Sequence, residues 1–252
     1  MVFRPGPVVI GHRGFGAGVV DGFTENSVES YLAAVKAGAT WVEFDVRRSS
    51  DDRLVLHHDP AIGDAFIVDR TAEENARDGV LGLADALEAI PVEIGVDIDV
   101  KPVIEDAVDP PERRTAALLA PVLRREAERR PVFVTSFDPA VLLELKRAVP
   151  GLSVGLLGWV RFPLDIAIPM AAGLGVDAIG LDARTLGQTG DDEPPAGGRR
   201  PIAYAIDAAH RAGLEVLAWC PGPEAAVRYV AAGADALVVN DIPGVLAALA
   251  KR

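Results

Sequence analysis

The chain is poor in cysteine, in positive charge and in long apolar runs. Cys220 is its single cysteine, so no disulfide can close within it, and a reducing cytoplasm is the default expectation. Lysine and arginine number 25 against 37 acidic residues, for a formal net charge of −12. A chain this acidic lacks the basic face that a nucleic-acid backbone requires, so nucleic acid is not expected as a partner. A small phosphate is still admissible, because a local metal and a few cations reverse the field around it. No stretch of about 18 apolar residues occurs, so no transmembrane helix is expected. The start, MVFRPGP, leads directly into a strand and lacks the apolar segment of a signal peptide. No repeat of solenoid period is visible. The one low-complexity stretch, DDEPPAGGRR at 191–200, reads as a loop on the site face and not as a domain linker.

What is present is a large hydrophobic fraction in a regular order. Half of the 252 residues are hydrophobic, enough for one core and for a single domain spanning 1–252. Short β-like runs at 8–10, 41–46, 53–57, 94–100, 132–135, 152–156, 178–181, 215–218 and 236–239 alternate with helical stretches. The helices are expected at 27–37, 83–88, 111–129, 139–148, 164–172, 201–212, 223–231 and 244–250. Such alternation predicts parallel βαβ units. With 53–57 set aside as a short pairing strand, eight units remain. The expected fold is a (β/α)8 TIM barrel with a short insertion after strand two.

Two strands carry charge where a barrel strand is normally apolar. Side chains alternate faces along a strand. In WVEFDV, Val42, Phe44 and Val46 are expected to face the helices, and Trp41, Glu43 and Asp45 the barrel interior. In GVDIDVK, Asp97, Asp99 and Lys101 share the inward face. Inward charges are costly unless paired, hydrated or metal-bound, and at the C-terminal strand ends they read as site residues. Glu43 and Asp45 offer hard oxygen ligands, which suit Mg2+ or Ca2+ over a soft metal.

Four further motifs are candidates. GHRG at 11–14 ends strand one and places His12 and Arg13 at the barrel mouth; Arg13 is a natural fork for phosphate oxygens, and the flanking glycines permit close backbone approach. TENS at 24–27 opens helix one, with Asn26 as N-cap and Glu29 completing a capping box; Glu25 has either a site role or only helix-start electrostatics. In LHHD, His57 and His58 point in opposite directions if extended, and alternation alone does not decide which enters the site. Phe137 in TSFD is either a packing residue at the barrel top or a substrate contact. His210 reads as a surface residue near a helix C-terminus, and Cys220 as structural, with no paired base expected nearby. The loop GWVRFPLD at 158–165 should sit on the site face. Its Trp159, Val160 and Phe162 either pack under the barrel top or accept an alkyl or acyl group.

In order and spacing these pieces resemble the glycerophosphodiester phosphodiesterase family. The resemblance runs through HRG at 12–14, ENS at 25–27, GATWVEFDV at 38–46 and DRLVLHHD at 52–59. It continues through IDVKP at 98–102, TSFD at 135–138, AWC at 218–220 and GADALVVNDIP at 233–243. It implies a TIM barrel with a divalent-metal site that hydrolyses a small glycerophosphodiester to an alcohol and sn-glycerol 3-phosphate, within glycerol and lipid metabolism. Position by position, it implies His12 and His58 as the acid/base pair and Glu43, Asp45 and Asp99 as metal ligands. Arg13 and Lys101 become phosphate contacts, and Trp219 packs against the glyceryl part. Two histidines titrating near neutrality predict a bell-shaped pH profile.

The chain also departs from the family pattern. Asp99 stands where Glu is usual, and its shorter side chain predicts a bridging water or a metal set deeper in the barrel. Cys220, Pro221 and Gly222 replace the usual Thr-Val-Asn, Asn240-Asp241 replaces the common Thr-Asp, and the segment 60–81 is short. The alternatives are a phospholipase D-type or cyclising phosphodiesterase acting on lysophospholipids, and a non-catalytic phosphodiester-binding barrel. The oligomeric state is not legible in the sequence.

Overall fold

Eight parallel strands close on themselves in the computed structural model, which describes residues 2–3, 6–187 and 201–251. The barrel strands are Val8–Gly11, Trp41–Arg48, Gly95–Val100, Val132–Ser136, Ser153–Leu157, Ala178–Asp182, Glu215–Trp219 and Ala236–Val239, here numbered one to eight. Each pairs with its sequence neighbours, and strand one pairs with both strand eight and strand two, which closes the ring. The expected (β/α)8 barrel is therefore the fold. The low-complexity stretch 191–200 lies outside the described residues.

Helix boundaries follow local chemistry. Asp138 caps Pro139–Ala148 by accepting from the amide of Ala140, and Asp241 caps Ile242–Leu249 through the amide of Gly244. Helix Val28–Lys36 begins one residue later than expected: Ser27, not Asn26, is the N-cap, accepting from the Ser30 amide. The expected 111–129 helix is interrupted, because extended Arg114 separates the 3-10 turn Pro111–Arg113 from the α-helix Thr115–Ala127.

The insertion after strand two is richer than a single pairing strand. Leu54–Leu56 runs antiparallel to strand two and carries Leu81–Gly82 on its other edge. Between them lie the hairpin Ala61–Ile62/Ala65–Phe66 and the helix Ala72–Ala76, whose start is a capping box of Thr71 and Glu74. A second small hairpin, Val19–Val20/Phe23–Thr24, follows strand one. These two-residue strands are too short to show a period in sequence.

The interior is layered. Val42, Phe44, Val46, Val96, Ile98 and Val100 pack outward into the helix layer, as alternation predicts. Trp41 packs inward with Ile10, Phe133, Leu217 and Val238, and Phe3 sits among them. The Phe3 ring meets Trp41 edge-on at 5.6 Å and Phe133 at 5.0 Å. The amides of Val2 and Phe3 donate to the buried Glu215 carboxylate, which pins this segment across the barrel floor. Above the floor, Trp41 is in register with Gly95, Glu43 with Asp97, and Asp45 with Asp99. The charged layer thus stands on an apolar one.

Gly95 is forced by this arrangement. A Cβ there would lie 2.2 Å from the Trp41 ring. Gly95→Ala is expected to lower stability by about 1–3 kcal/mol through overpacking, read as a lower urea midpoint. An unchanged midpoint would mean that the ring moves aside freely.

Candidate active site

The charged side chains of strands two and three meet at one end of the barrel. Glu43, Asp45 and Asp99 are buried, and each offers an oxygen within 4.8 Å of the others. Two ligands on opposite sides of one cation stand roughly 4–5 Å apart for metal–oxygen bonds of 2.0–2.6 Å. The set is all oxygen, and Asp99 Oδ1 is buried with no hydrogen-bond partner among the described residues. These residues fit a hard divalent cation. Asp99 reaches this spacing despite its short side chain.

Cations brace the same carboxylates. Lys101 Nζ lies 3.1 Å from Asp45 Oδ1 and also bonds Asp99 Oδ2. Arg13 reaches Asp45 Oδ2 through Nε at 3.2 Å and Glu25 through Nη1 at 2.9 Å. Its backbone amide donates to Glu43 Oε2 at 2.8 Å. Burial alone would raise the Asp45 carboxyl, but Lys101, Arg13 and His58 outweigh it and bring it down to about 2. Glu43 goes the other way: burial first, then the charges of Asp45 and Asp99, hold it well above the usual range. Asp97, one layer below and bonded to Thr135, is raised well above its usual value by burial and then by Asp99. The Lys101 ammonium loses by burial but gains more from Asp99, Asp45 and Glu43, so it stays charged.

The segment 24–27 is a brace and not a simple helix start. Asn26 is buried in the left-handed region, at φ 53°. Its Nδ2 donates to Asp45 Oδ2 at 3.0 Å, and its Oδ1 accepts from Tyr31 Oη at 2.8 Å. This is why Asn26 does not cap the helix. Glu25 accepts from Arg13 and from the Gly18 amide, which links it to the mouth of the site. The glycines of GHRG serve the protein's own packing: a Cβ on Gly11 would lie 2.2 Å from the Gly14 carbonyl, and one on Gly14 2.5 Å from Ser30 Oγ.

His12 is anchored from behind. Its Nδ1 lies 2.7 Å from Asn240 Oδ1, and the same oxygen accepts from the Ala17 amide at 2.9 Å. An amide N–H is donor-only, so the Asn240 atom facing it is the oxygen, and His12 Nδ1 must carry the proton. Neutral His12 therefore keeps its lone pair on Nε2. Cys220 Sγ is 3.6 Å from the same Nδ1. Cys220, expected to be remote from any base, is thus an immediate neighbour of His12. Its left-handed backbone, φ 58°, turns it back toward strand one. Burial lowers the His12 pKa, but contacts with Cys220 and Asn240 outweigh this and raise it.

The second histidine segment is held by a residue that the motif reading passed over. Arg47 follows Glu43 and Asp45 at the same two-residue spacing. Its guanidinium donates to the carbonyls of His57 at 3.0 Å and His58 at 2.5 Å. His58 Nδ1 pairs with Asp59 Oδ1 at 2.7 Å, while His57 Nδ1 lies 2.9 Å from the Asp59 carbonyl. The charge of His58 acts on both Asp45 and Asp99. His210, expected at the surface, is half-buried and bonds Asp235 at 2.8 Å, away from this cluster.

Aromatic rings line one side of the mouth. Phe137 stacks on Trp159 at 4.5 Å and meets Trp219 edge-on at 6.1 Å. Lys101 Nζ lies 5.4 Å from the Phe137 centroid. The indole Nε1 of Trp219 is buried and has no hydrogen-bond partner among the described residues.

The acidic pocket, braced by Arg and Lys and flanked by histidines, lies at the C-terminal end of a parallel barrel, the face on which barrel enzymes carry their sites. A family model described as the glycerophosphoryl diester phosphodiesterase family matches residues 12–78, the stretch that carries His12, Glu43, Asp45 and His58. A glycerophosphodiester phosphodiesterase of Caldanaerobacter subterraneus is 29% identical over 193 residues, covering 66% of this chain and 73% of that one. A glycerophosphocholine phosphodiesterase of Eremothecium gossypii is 41% identical over 63 residues, 23% of this chain; the match spans only 5% of that longer protein. In fold, the chain is similar to an Oleispira antarctica phosphodiesterase solved with the product sn-glycerol-3-phosphate. The TM-score is 0.76 at 20% identity, covering 97% of both chains. The chain is thus similar to that family over residues 12–78, and to solved members of it in fold. Among its described residues, no helix is long and apolar enough to cross a membrane.

Proposed function

We propose that this chain hydrolyses glycerophosphodiesters to an alcohol and sn-glycerol 3-phosphate, with Mg2+ or Ca2+ held by Glu43, Asp45 and Asp99. The observation that carries this reading is the spacing of those three buried carboxylates, whose oxygens lie within 4.8 Å of one another between Arg13 and Lys101. When bound, the cation supplies charge neutralisation at a phosphoryl oxygen as negative charge builds. Arg13 and Lys101 hold the remaining phosphate oxygens. His12 and His58 divide the proton transfers: one takes the proton of the attacking oxygen, and the other returns a proton to the leaving alkoxide. Trp219 and Phe137 wall the glyceryl part, and the Trp219 N–H is a ready donor to a hydroxyl. Glu25 keeps Arg13 in place.

The direct test is glycerol 3-phosphate release from glycerophosphocholine, glycerophosphoethanolamine and glycerophosphoglycerol, with Mg2+, Ca2+ or EDTA. Release that depends on the cation supports the reading. A cyclic phosphate product would indicate the cyclising alternative. Cation binding without turnover would indicate a binding barrel.

Within this mechanism Asn240 is a positioning residue, because it fixes the His12 tautomer. Asn240→Leu is expected to lower kcat roughly 10–100-fold with KM little changed, as loss of the orienting partner leaves the imidazole free to present the wrong nitrogen. Steady-state kinetics together with the 15N shifts of His12 would check it. An unaltered tautomer in the variant would remove Asn240 from this role.

A further inference from the structure

Resting on the reading above, we infer that Arg184 is a specificity residue that reads an anion on the substrate. The anion is a carboxylate or phosphate on the three-carbon unit, at the end away from the scissile phosphorus. On strand six, Ala178 packs into the barrel interior while Ile179 and Leu181 pack outward. Alternation therefore turns Asp182 inward, at the last position of the strand and in register with Trp219. Asp182 is buried, and a carboxylate there needs a partner. Arg184 supplies it by folding back over the mouth. Its Nε lies 2.9 Å from Asp182 Oδ1 and its Nη2 3.1 Å from Oδ2, and its own amide donates to Oδ1 at 2.8 Å. The guanidinium is held above its usual value, first by Asp182 and last by Cys220, the residue that touches His12.

This pairing uses one edge of the guanidinium and leaves the other. Nε and Nη2 serve Asp182, and Nη1 has no hydrogen-bond partner among the described residues. The side chain is 50% exposed, so the Nη1–Nη2 edge is open to a ligand. That edge is a planar fork of donors, the shape that a carboxylate or phosphate accepts. A hydroxyl is the poorer occupant: it brings a proton of its own, and both Asp182 oxygens already accept from Arg184. A cation is excluded by charge. The surrounding rim agrees. Gly158 N donates to Gly180 O at 2.8 Å and Arg161 N to Thr185 Oγ1 at 2.7 Å, which ties the turn after strand five to the one after strand six. That turn carries Trp159, 65% exposed, and the exposed Arg161, which makes no ion pair among the described residues. Strand six stands across the ring from strand two. A diester gripped at its phosphate by Arg13 and Lys101, with its three-carbon unit against Trp219, presents its far carbon to the strand beside Trp219.

The bond broken is the same. Water adds its oxygen to phosphorus, the phosphorus–oxygen bond to the alcohol breaks, and the alkoxide takes a proton. The products are the alcohol and a three-carbon phosphate that keeps its second anion.

The experiment compares three phosphocholine diesters that share the leaving alcohol and differ at the far carbon of the three-carbon unit. That carbon is a hydroxymethyl in glycerophosphocholine, a carboxylate in the glycerate diester, and a phosphomonoester in the glycerol 1-phosphate diester. Choline release is followed with wild type, Arg184→Lys and Arg184→Gln under the same cation. Arg184→Lys keeps a cation beside Asp182 but loses the fork, so it stays informative where Arg184→Gln fails to fold. In the wild type, kcat/KM for the carboxylate or the phosphate diester should exceed that for glycerophosphocholine, and the larger of the two identifies the anion. The variants should lower that ratio about tenfold, as expected for losing a charge-assisted bidentate contact. A wild-type ratio at or below one, or a ratio that the folded variants leave unchanged, would overturn the inference and leave the proposed function standing. If none of the three is cleaved, the proposed function fails, and Arg184 is decided by calorimetric binding of 3-phosphoglycerate against glycerol 3-phosphate. Tighter binding of 3-phosphoglycerate that Arg184→Lys abolishes would support the fork. Equal binding of the two, or a preference that survives in Arg184→Lys, would overturn it.

Discussion

His12→Ala is expected to lower turnover of a glycerophosphodiester by about 10²–10⁴-fold, the usual contribution of a positioned acid or base. His12 stands on strand one's end with Nδ1 committed to Asn240, so only Nε2 is left for chemistry. The variant should keep its cation affinity, because the ligand set is Glu43, Asp45 and Asp99 and does not include the imidazole. It should also keep its melting temperature within a few degrees, since only a half-buried ring is removed. One limb of the pH profile should vanish with it. His57→Ala makes the contrast: its Nδ1 is engaged by the Asp59 carbonyl, and a fall of no more than a few-fold is expected. Steady-state rates for the two variants decide the matter. A loss of less than tenfold in His12→Ala would place the proton transfers elsewhere.

The second large effect is on stability and depends on both cation and pH. Glu43 and Asp97 are held well above the ordinary carboxyl range, by burial first and by their acidic neighbours next. In the fold such a group keeps a proton that the unfolded chain has already released. The unfolded state then binds fewer protons, so stability falls as pH rises from the ordinary carboxyl range toward the raised folded values. Asp45 acts in the opposite sense: held at about 2, it contributes stability above its ordinary value of 3.8, which is lost as pH falls toward 2. Without a divalent cation the protein should therefore be more stable near about pH 5.5 than near about pH 8. Saturating Mg2+ or Ca2+ should reverse much of that difference. A cation at a hundred times its Kd contributes about 2.7 kcal/mol, or roughly 5–10 °C for a chain of this size. Melting curves at the two pH values, with cation or EDTA, test this. Equal shifts at both would mean that the carboxylates tolerate full ionisation unaided.

The carboxylate cluster is legible in sequence because strand alternation has a period of two and needs no knowledge of loops. Glu43, Asp45, Asp97, Asp99 and Lys101 are placed inward by that rule, and the register of strands two and three sets Glu43 beside Asp97 and Asp45 beside Asp99. The eight barrel units are legible for a similar reason, since apolar runs and capped helices alternate without a break. Arg47 obeys the same alternation, and continuing it one step past Asp45 would have found the clamp on the histidines. Asn26 and Cys220 are different. Each reaches the site through a left-handed backbone, φ 53° and φ 58°, which is uncommon outside glycine and which the strand and helix periods do not reveal. The capping rule favoured Asn26, but its contacts with Asp45 and Tyr31 prevail over the helix start. The exposure of Trp159 likewise depends on hydrogen bonds to loop neighbours from other strands.

Arg47 uncouples the hold on the histidines from the rest of the insertion after strand two. The clamp grips the carbonyls of His57 and His58 before the chain departs into its small hairpin and helix. Residues 60–81 are held by contacts of their own: Ile67 and Val80 pack with Val55, the Ser50 amide donates to the Arg70 carbonyl, and Leu81 pairs with Leu56. For an engineer, the replaceable part is the exposed hairpin tip around Gly63, and a graft that spares Ile67, Val80 and Leu81 leaves the grip on the histidines intact.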